Sequence, residues 1–122
     1  MLKEIGILSS QDSRFYAAHV VAILEYLGTK SIISRDIKPE NFMVTTNGSI
    51  MLTNLSVAKK VKKDQREWGR TYTIIGTPHY MAPDIILGRG YTNMVDLWSL
   101  GVMIYEFMCG YLPYGDDAKG AY

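Results

Sequence analysis

The sequence runs to 122 residues, 48% of them apolar and 20% charged, with a net charge of +1 at neutral pH. That is enough chain for one modest domain and too little for two, and the near-neutral balance excludes a global attraction to nucleic acid or to an anionic membrane. A single cysteine, Cys109, excludes an internal disulfide; set in an apolar run, it reads as a small core residue.

The opening stretch MLKEIGILSS has no signal-peptide apolar core, so a cytoplasmic protein is the expectation. The first predicted helix is SRFYAAHVVAILEYLG, with Ser13 as N-cap and Gly28 as the stop. Only Arg14, His19 and Glu25 interrupt its apolar surface, which predicts a helix surrounded by protein. His19 has no second His or Cys at ligand spacing and reads as a hydrogen-bonded surface residue rather than a metal ligand.

A loop, IISRDIKPEN, leads into two short strands, FMVT and IMLT, around the hairpin signal Asn47-Gly48. VAKKVKKDQREWGRTYT lacks a period beyond its first residues and reads as a long surface loop. Its Lys59, Lys60, Lys62, Lys63, Arg66 and Arg70, with Trp68 and Tyr72, could dock on a polyanion. Diluted by Asp64 and Glu67, the stretch reads instead as solvated loop, and no nucleic-acid partner is expected. One short helix is predicted near Pro83 to Leu87, and a second all-apolar helix from Val95 to Cys109. The run VDLWSLGVMIYEFMC contains Asp96 and Glu106 and is too short to span a bilayer, so no membrane partner is expected. The last stretch, GYLPYGDDAKGAY, holds no further element. Two such helices are a lot for this length to cover, which predicts missing neighbours: a partner chain or the rest of a larger domain.

Arg35-Asp36-Ile37-Lys38-Pro39-Glu40-Asn41 fits a phosphotransferase catalytic loop, in which Asn follows Arg-Asp after four intervening residues. With Gly76-Thr77-Pro78, Met81-Ala82-Pro83-Asp84 and VDLWSLGVMIYE following in order, the chain resembles the eukaryotic protein kinases along nearly its whole length. Lys38-Pro39-Glu40 and Thr77 are similar to the serine/threonine-specific type. GTPHYMAP and GVMIYEFMCGYLPYGDD most resemble the cGMP-dependent protein kinases, within the AGC group.

The resemblance implies an α+β, mainly α fold: part of a kinase large lobe, with two buried helices, a short β-hairpin and a long activation-segment loop. It implies that residues 1–122 run from the helix before the catalytic loop to the central helix. The ATP-covering small lobe and the C-terminal helices would lie outside them.

Roles follow by the same resemblance. Asp36 would orient or deprotonate the substrate hydroxyl, Lys38 would face the transferred phosphoryl, and Thr77 would support Asp36. Asn41 and Asn54 would be the oxygen ligands of magnesium, and with Lys38 would face ATP. Thr73 would be the activation-loop phosphosite, its phosphate paired with Arg35; Thr71 and Tyr72 are equally exposed alternatives. Glu40 and Glu106 would receive basic residues of a protein substrate, although Glu106 reads equally as a satisfied acid on a buried helix. Asp96 would hold the catalytic loop from below.

Three departures bear on activity. The family's Asp-Phe-Gly turn is Asn54-Leu55-Ser56 here, which removes the charge that faces the metal. Ser34 replaces the larger ring expected before Arg35 and leaves a gap under that turn. Asp84 replaces Glu, and these 122 residues contain neither a Gly-rich phosphate loop nor a Val-Ala-Ile-Lys-type strand. Impaired phosphate transfer by this chain is the expectation. The alternatives are a pseudokinase, binding or regulating without phosphotransfer, and a decaying fragment without function.

Overall fold

A computed structural model describes residues 5–62 and 69–115. In order it contains helix α1 (Ser10–Thr29), strands β1 (Ile32–Ile33), β2 (Phe42–Val44), β3 (Ile50–Leu52) and β4 (Lys59–Lys60), the short helix α2 (Pro83–Ile86) and helix α3 (Met94–Cys109). Single 3₁₀ turns cover Pro39–Asn41 and Pro78–Tyr80. The fold is α+β and mainly α, as the resemblance implies.

Helix α1 starts earlier than Ser13. Ser9 is the N-cap, its Oγ accepting from the Asp12 N–H at 3.0 Å, while Ser13 is buried inside the helix. Asp12 adds a carboxylate at the positive end of the helix dipole, so the pair Ser9/Asp12 offers more than Ser13 does. The hairpin forms where Asn47-Gly48 places it, with Met43 opposite Met51 and Val44 opposite Ile50. Pro83 opens α2 from its first position, where a missing N–H costs nothing.

The stretch read as surface loop is more structured than expected. Lys59–Lys60 pairs antiparallel with Ile32–Ile33, and Val61 and Thr71 are buried. The cause is long-range pairing, invisible to local periodicity. Lys63, Asp64, Arg66, Glu67 and Trp68 lie outside the described residues.

Two apolar clusters take residues from the ends of the loop that follows β1, Ile33 in one and Ile37 and Phe42 in the other. One joins Val20 of α1, Ile37, Phe42 and Ile50 to Leu100, Met103 and Phe107 of α3. The other packs Ile33, Val61, Ile85, Tyr91 and Val95. The loop between β1 and β2 is therefore clamped from both sides.

Both long helices keep apolar surface in the open: Phe15, Val21 and Tyr26 on α1, and Leu97, Trp98, Tyr105 and Met108 on α3. A groove of ≈ 450 Å³ runs between them, past Leu24, Gly28, Ile32 and Leu97. Cys109 is half-buried rather than a core residue, because it sits in the last turn of α3. His19 caps the Phe15 carbonyl through Nδ1 at 2.9 Å. No helix of the described residues is long and apolar enough to cross a membrane.

Candidate active site

The loop from Ser34 to Asn41 is built around the buried carboxylate of Asp96, on the first turn of α3. Its two oxygens accept from the Ser34 N–H at 2.8 Å and the Arg35 N–H at 3.0 Å. Arg35 sits at φ +64°, a left-handed conformation that costs a non-glycine residue about 1 kcal/mol. Two hydrogen bonds to a charged acceptor offset that cost. Burial pushes the Asp96 carboxyl up to about 6, against the pull of both N–H groups and the Arg35 charge.

Four side chains converge above this floor. The Thr77 hydroxyl donates to Asp36 Oδ1 at 2.7 Å and accepts from Lys38 Nζ at 2.8 Å. Asn41 Nδ2 donates to the Asp36 carbonyl at 2.7 Å and to its Oδ2 at 3.0 Å. Lys38 Nζ lies 3.8 Å from the same Oδ2. A carbonyl only accepts, so the Asn41 nitrogen must face it, and Asn41 Oδ1 is turned the other way. The side chains of Asp36 and Lys38 keep 15% and 23% of their surface, enough for an incoming hydroxyl to reach the carboxylate.

Gly76 brings Thr77 to this cluster. At φ +125° its Cα lies so close to the loop that a Cβ would stand 2.7 Å from the Arg35 carbonyl oxygen. Any side chain there would lift Thr77 away from Asp36. The glycine of Gly-Thr-Pro is thus a spacing device, legible in the sequence only as part of the motif.

The second half of the expected site is separate in character. Asn54 and Leu55 are exposed, and Asn54 Oδ1 accepts from the Ser56 N–H two residues on, at 2.8 Å. Ser34 is buried with its Oγ unpartnered among the described residues. Leu55 is exposed rather than packed inside.

These donors do not fit magnesium as they stand. A hard dication takes oxygens, preferably charged, in an octahedron. Asn41 offers one neutral oxygen, the Asn54 oxygen is engaged, and the Asp36 oxygens are tied to Thr77 and Asn41. Among the described residues no cluster of three His, Cys, Asp or Glu could hold a metal.

The remaining expected residues are placed as follows. Arg35 Nε donates to the Val57 carbonyl at 2.7 Å, while its Nη1 is buried without a partner among the described residues. Thr73 is exposed and its carbonyl accepts from the Tyr91 hydroxyl. Thr71 is buried rather than exposed, its hydroxyl accepting from Lys59 Nζ at 3.2 Å, because it bridges to Tyr91. Glu106 is half-buried and one of its oxygens accepts from the Tyr80 hydroxyl. Glu40 is half-buried beside Asn41 in the same 3₁₀ turn. Tyr80, Tyr91 and Val57 escaped the sequence reading; only the spatial closure of the chain brings them in.

Comparison with known proteins finds one family along the chain. The protein kinase domain family matches residues 1–121. The chain is 46% identical over 118 residues to cGMP-dependent protein kinase of Toxoplasma gondii, covering 97% of this chain and 11% of that protein. The cGMP-dependent protein kinase of Eimeria tenella gives the same identity and coverage. The cAMP-dependent protein kinase catalytic subunit 3 of Drosophila melanogaster is 44% identical over 116 residues, 95% of this chain and 19% of that protein. The chain spans only a small part of each relative. By the match along its length, it belongs to the protein kinase domain family.

Proposed function

We propose that this chain is the central part of a serine/threonine kinase large lobe, built to present a protein hydroxyl to Asp36, with its metal half impaired. The convergence of Thr77, Lys38 and Asn41 on one carboxylate carries the reading. Each Asp36 oxygen accepts one bond and keeps a lone pair, so a serine or threonine hydroxyl can be oriented and its proton received there. Lys38 has three donors and spends one on Thr77, leaving charge for a phosphoryl group. ATP and magnesium belong to the family's chemistry; with Asn54 neutral and engaged, no step is derived through them. Glu40 and Glu106 are the acids we assign to basic side chains of a protein substrate. We place the protein in the cytoplasm.

A second reading rests on the metal turn: a module that binds or regulates without transferring phosphate. To separate the two, the segment preceding the matched region in the Toxoplasma gondii relative is grafted before this chain. Transfer of labelled phosphate from ATP to serine and threonine peptides is then measured. We expect weak transfer, a rise of at least tenfold with Asn54→Asp, and loss with Asp36→Asn. A folded graft that stays silent with Asn54→Asp supports the binding module and sinks the first reading.

A further inference from the structure

Asn47-Gly48 shapes the tip of the β2–β3 hairpin, and the same two residues carry a chemistry of their own. The Gly48 N–H donates to the Thr45 carbonyl at 2.9 Å, and the Thr45 N–H to the Ser49 carbonyl at 2.7 Å. Gly48 lies in the left-handed region at φ +86°, and a Cβ built on it would meet nothing within 4 Å. With no side chain of its own and no described neighbour over it, the Gly48 nitrogen is restrained by its hydrogen bond and not by bulk. The Asn47 side chain is exposed, and its Oδ1 accepts from the Ser49 N–H at 3.2 Å and from the Thr45 hydroxyl. An N–H only donates, so the oxygen of the Asn47 amide faces Ser49 and its Nδ2 is turned away.

An asparagine followed by glycine can close on itself. The Gly48 nitrogen gives up its proton and bonds to Asn47 Cγ; the Cγ–Nδ2 bond breaks, and Nδ2 leaves with that proton as ammonia. Water then opens the cyclic imide at either of its two carbonyls. One opening gives aspartate. The other gives isoaspartate, in which the chain runs on through Cβ and Cγ and is longer by a carbon. Water is the co-reactant, and nothing is oxidised or reduced.

In the closed hairpin both partners of that reaction are engaged, the Gly48 N–H by Thr45 and the Asn47 oxygen by Thr45 and Ser49. The hold is shallow. Strands β2 and β3 are three residues each and pair only with one another. Met43, Val44 and Met51 are exposed, so Phe42 and Ile50, with Leu52 packed beside them, anchor the hairpin. A tip with so few buried contacts opens more readily than the core beneath it.

We propose that Asn47 is a modification site, converted by its own chain to aspartate and isoaspartate, and that the closed β2–β3 hairpin holds the conversion back. The rate of conversion then reports how often the tip opens. Once isoaspartate has formed, the longer chain no longer matches the pairing of Thr45 with Ser49, and the hairpin does not close in its former register. Strand β2 begins directly after Asn41, whose carbonyl accepts from the Thr53 N–H at 2.8 Å, so the change reaches the reacting loop through the base of the hairpin. The inference goes beyond the reading of the chain as part of a kinase and stands without it.

The test is peptide mapping by mass on the full chain after incubation at neutral pH, in native buffer and in urea. Isoaspartate is told from aspartate by its resistance to an aspartate-specific protease. We expect conversion at Asn47 and not at Asn41, Asn54 or Asn93, which are followed by Phe42, Leu55 and Met94. It should run about tenfold faster, or more, in urea than in native buffer. Thr45→Val deletes the hydroxyl bond to Oδ1 and should raise the native rate about threefold, with the rate in urea unchanged. In the converted chain the Thr45 and Thr53 amides should exchange about tenfold faster. Equal rates in native buffer and in urea overturn the proposal, since the hairpin then restrains nothing. Absence of conversion in urea, or faster conversion at another asparagine, overturns it as well. If Thr45→Val loosens the whole fold, the urea dependence of the unsubstituted chain still decides.

Discussion

The catalytic loop and the metal turn lie about a dozen residues apart in sequence and are held in opposite ways. Asp36 is tied to a hydroxyl 41 residues downstream, and the backbone of the loop to a carboxylate more than 60 residues away. Asn54 is tied to its neighbour's N–H two residues on, at the surface. Groups fixed by distant partners keep their geometry only while the whole core is intact, and then keep it tightly. A group fixed by a local turn adopts the conformation its own few residues prefer. The first region is therefore held as part of the core, and the second by its own few residues.

The strongest way to break that contrast is to remove the floor. Asp96→Ala leaves two buried N–H groups without acceptors, and we expect a loss of about 3 kcal/mol at pH 5, read by denaturant unfolding. Unchanged stability in Asp96→Ala would mean that the loop does not depend on Asp96.

Comparable in size is the pH dependence that the same carboxyl imposes. Its pKa is raised in the fold from 3.8 to about 6, so between those values the folded state holds more protons than the unfolded one. Stability from this group is full below pH 4 and falls as pH rises to about 6, by roughly 3 kcal/mol. Asp96→Asn should flatten that window.

Smaller effects sharpen the comparison within each region. Thr77→Val keeps the shape and deletes the hydroxyl between Lys38 and Asp36; a loss of about 1–2 kcal/mol is expected, with faster amide exchange at Thr77. Ser34→Ala removes a buried, unpartnered hydroxyl, so melting should shift upward or by less than about 0.5 kcal/mol. A large loss there would reveal a partner for Ser34 Oγ. Smallest of all, Asn54→Asp keeps an acceptor for the Ser56 N–H, and stability should change by less than about 0.5 kcal/mol.

What the sequence disclosed divides along the same line. The hairpin, α2 and the end of α3 at Gly110 are set by turn and cap chemistry within a few residues, and these are legible. The start of α1 was legible too: Ser9 followed three residues later by Asp12 is a capping signal that Ser13 lacks. Strand β4 is two residues long and exists only because Ile32–Ile33 lies beside it. At the site, the order of Asp36, Lys38 and Asn41 marks the chemistry, while spacing says nothing of Thr77 reaching them. Only the family pattern supplied that link. That Glu106 is bonded to Tyr80, and Thr71 to Lys59, follows from packing that no local rule encodes.

The dependence of the loop on Asp96 also sets a schedule. A ribosome adds roughly 5–20 residues per second, and 62 positions separate Ser34 from Asp96. Several seconds therefore pass in which the Ser34 and Arg35 amides have been made and their acceptor has not. The left-handed turn at Arg35 has nothing to hold it in that interval. The centre of the molecule is assembled from its later half backward, and a nascent chain halted before α3 would carry every residue of the loop without its shape.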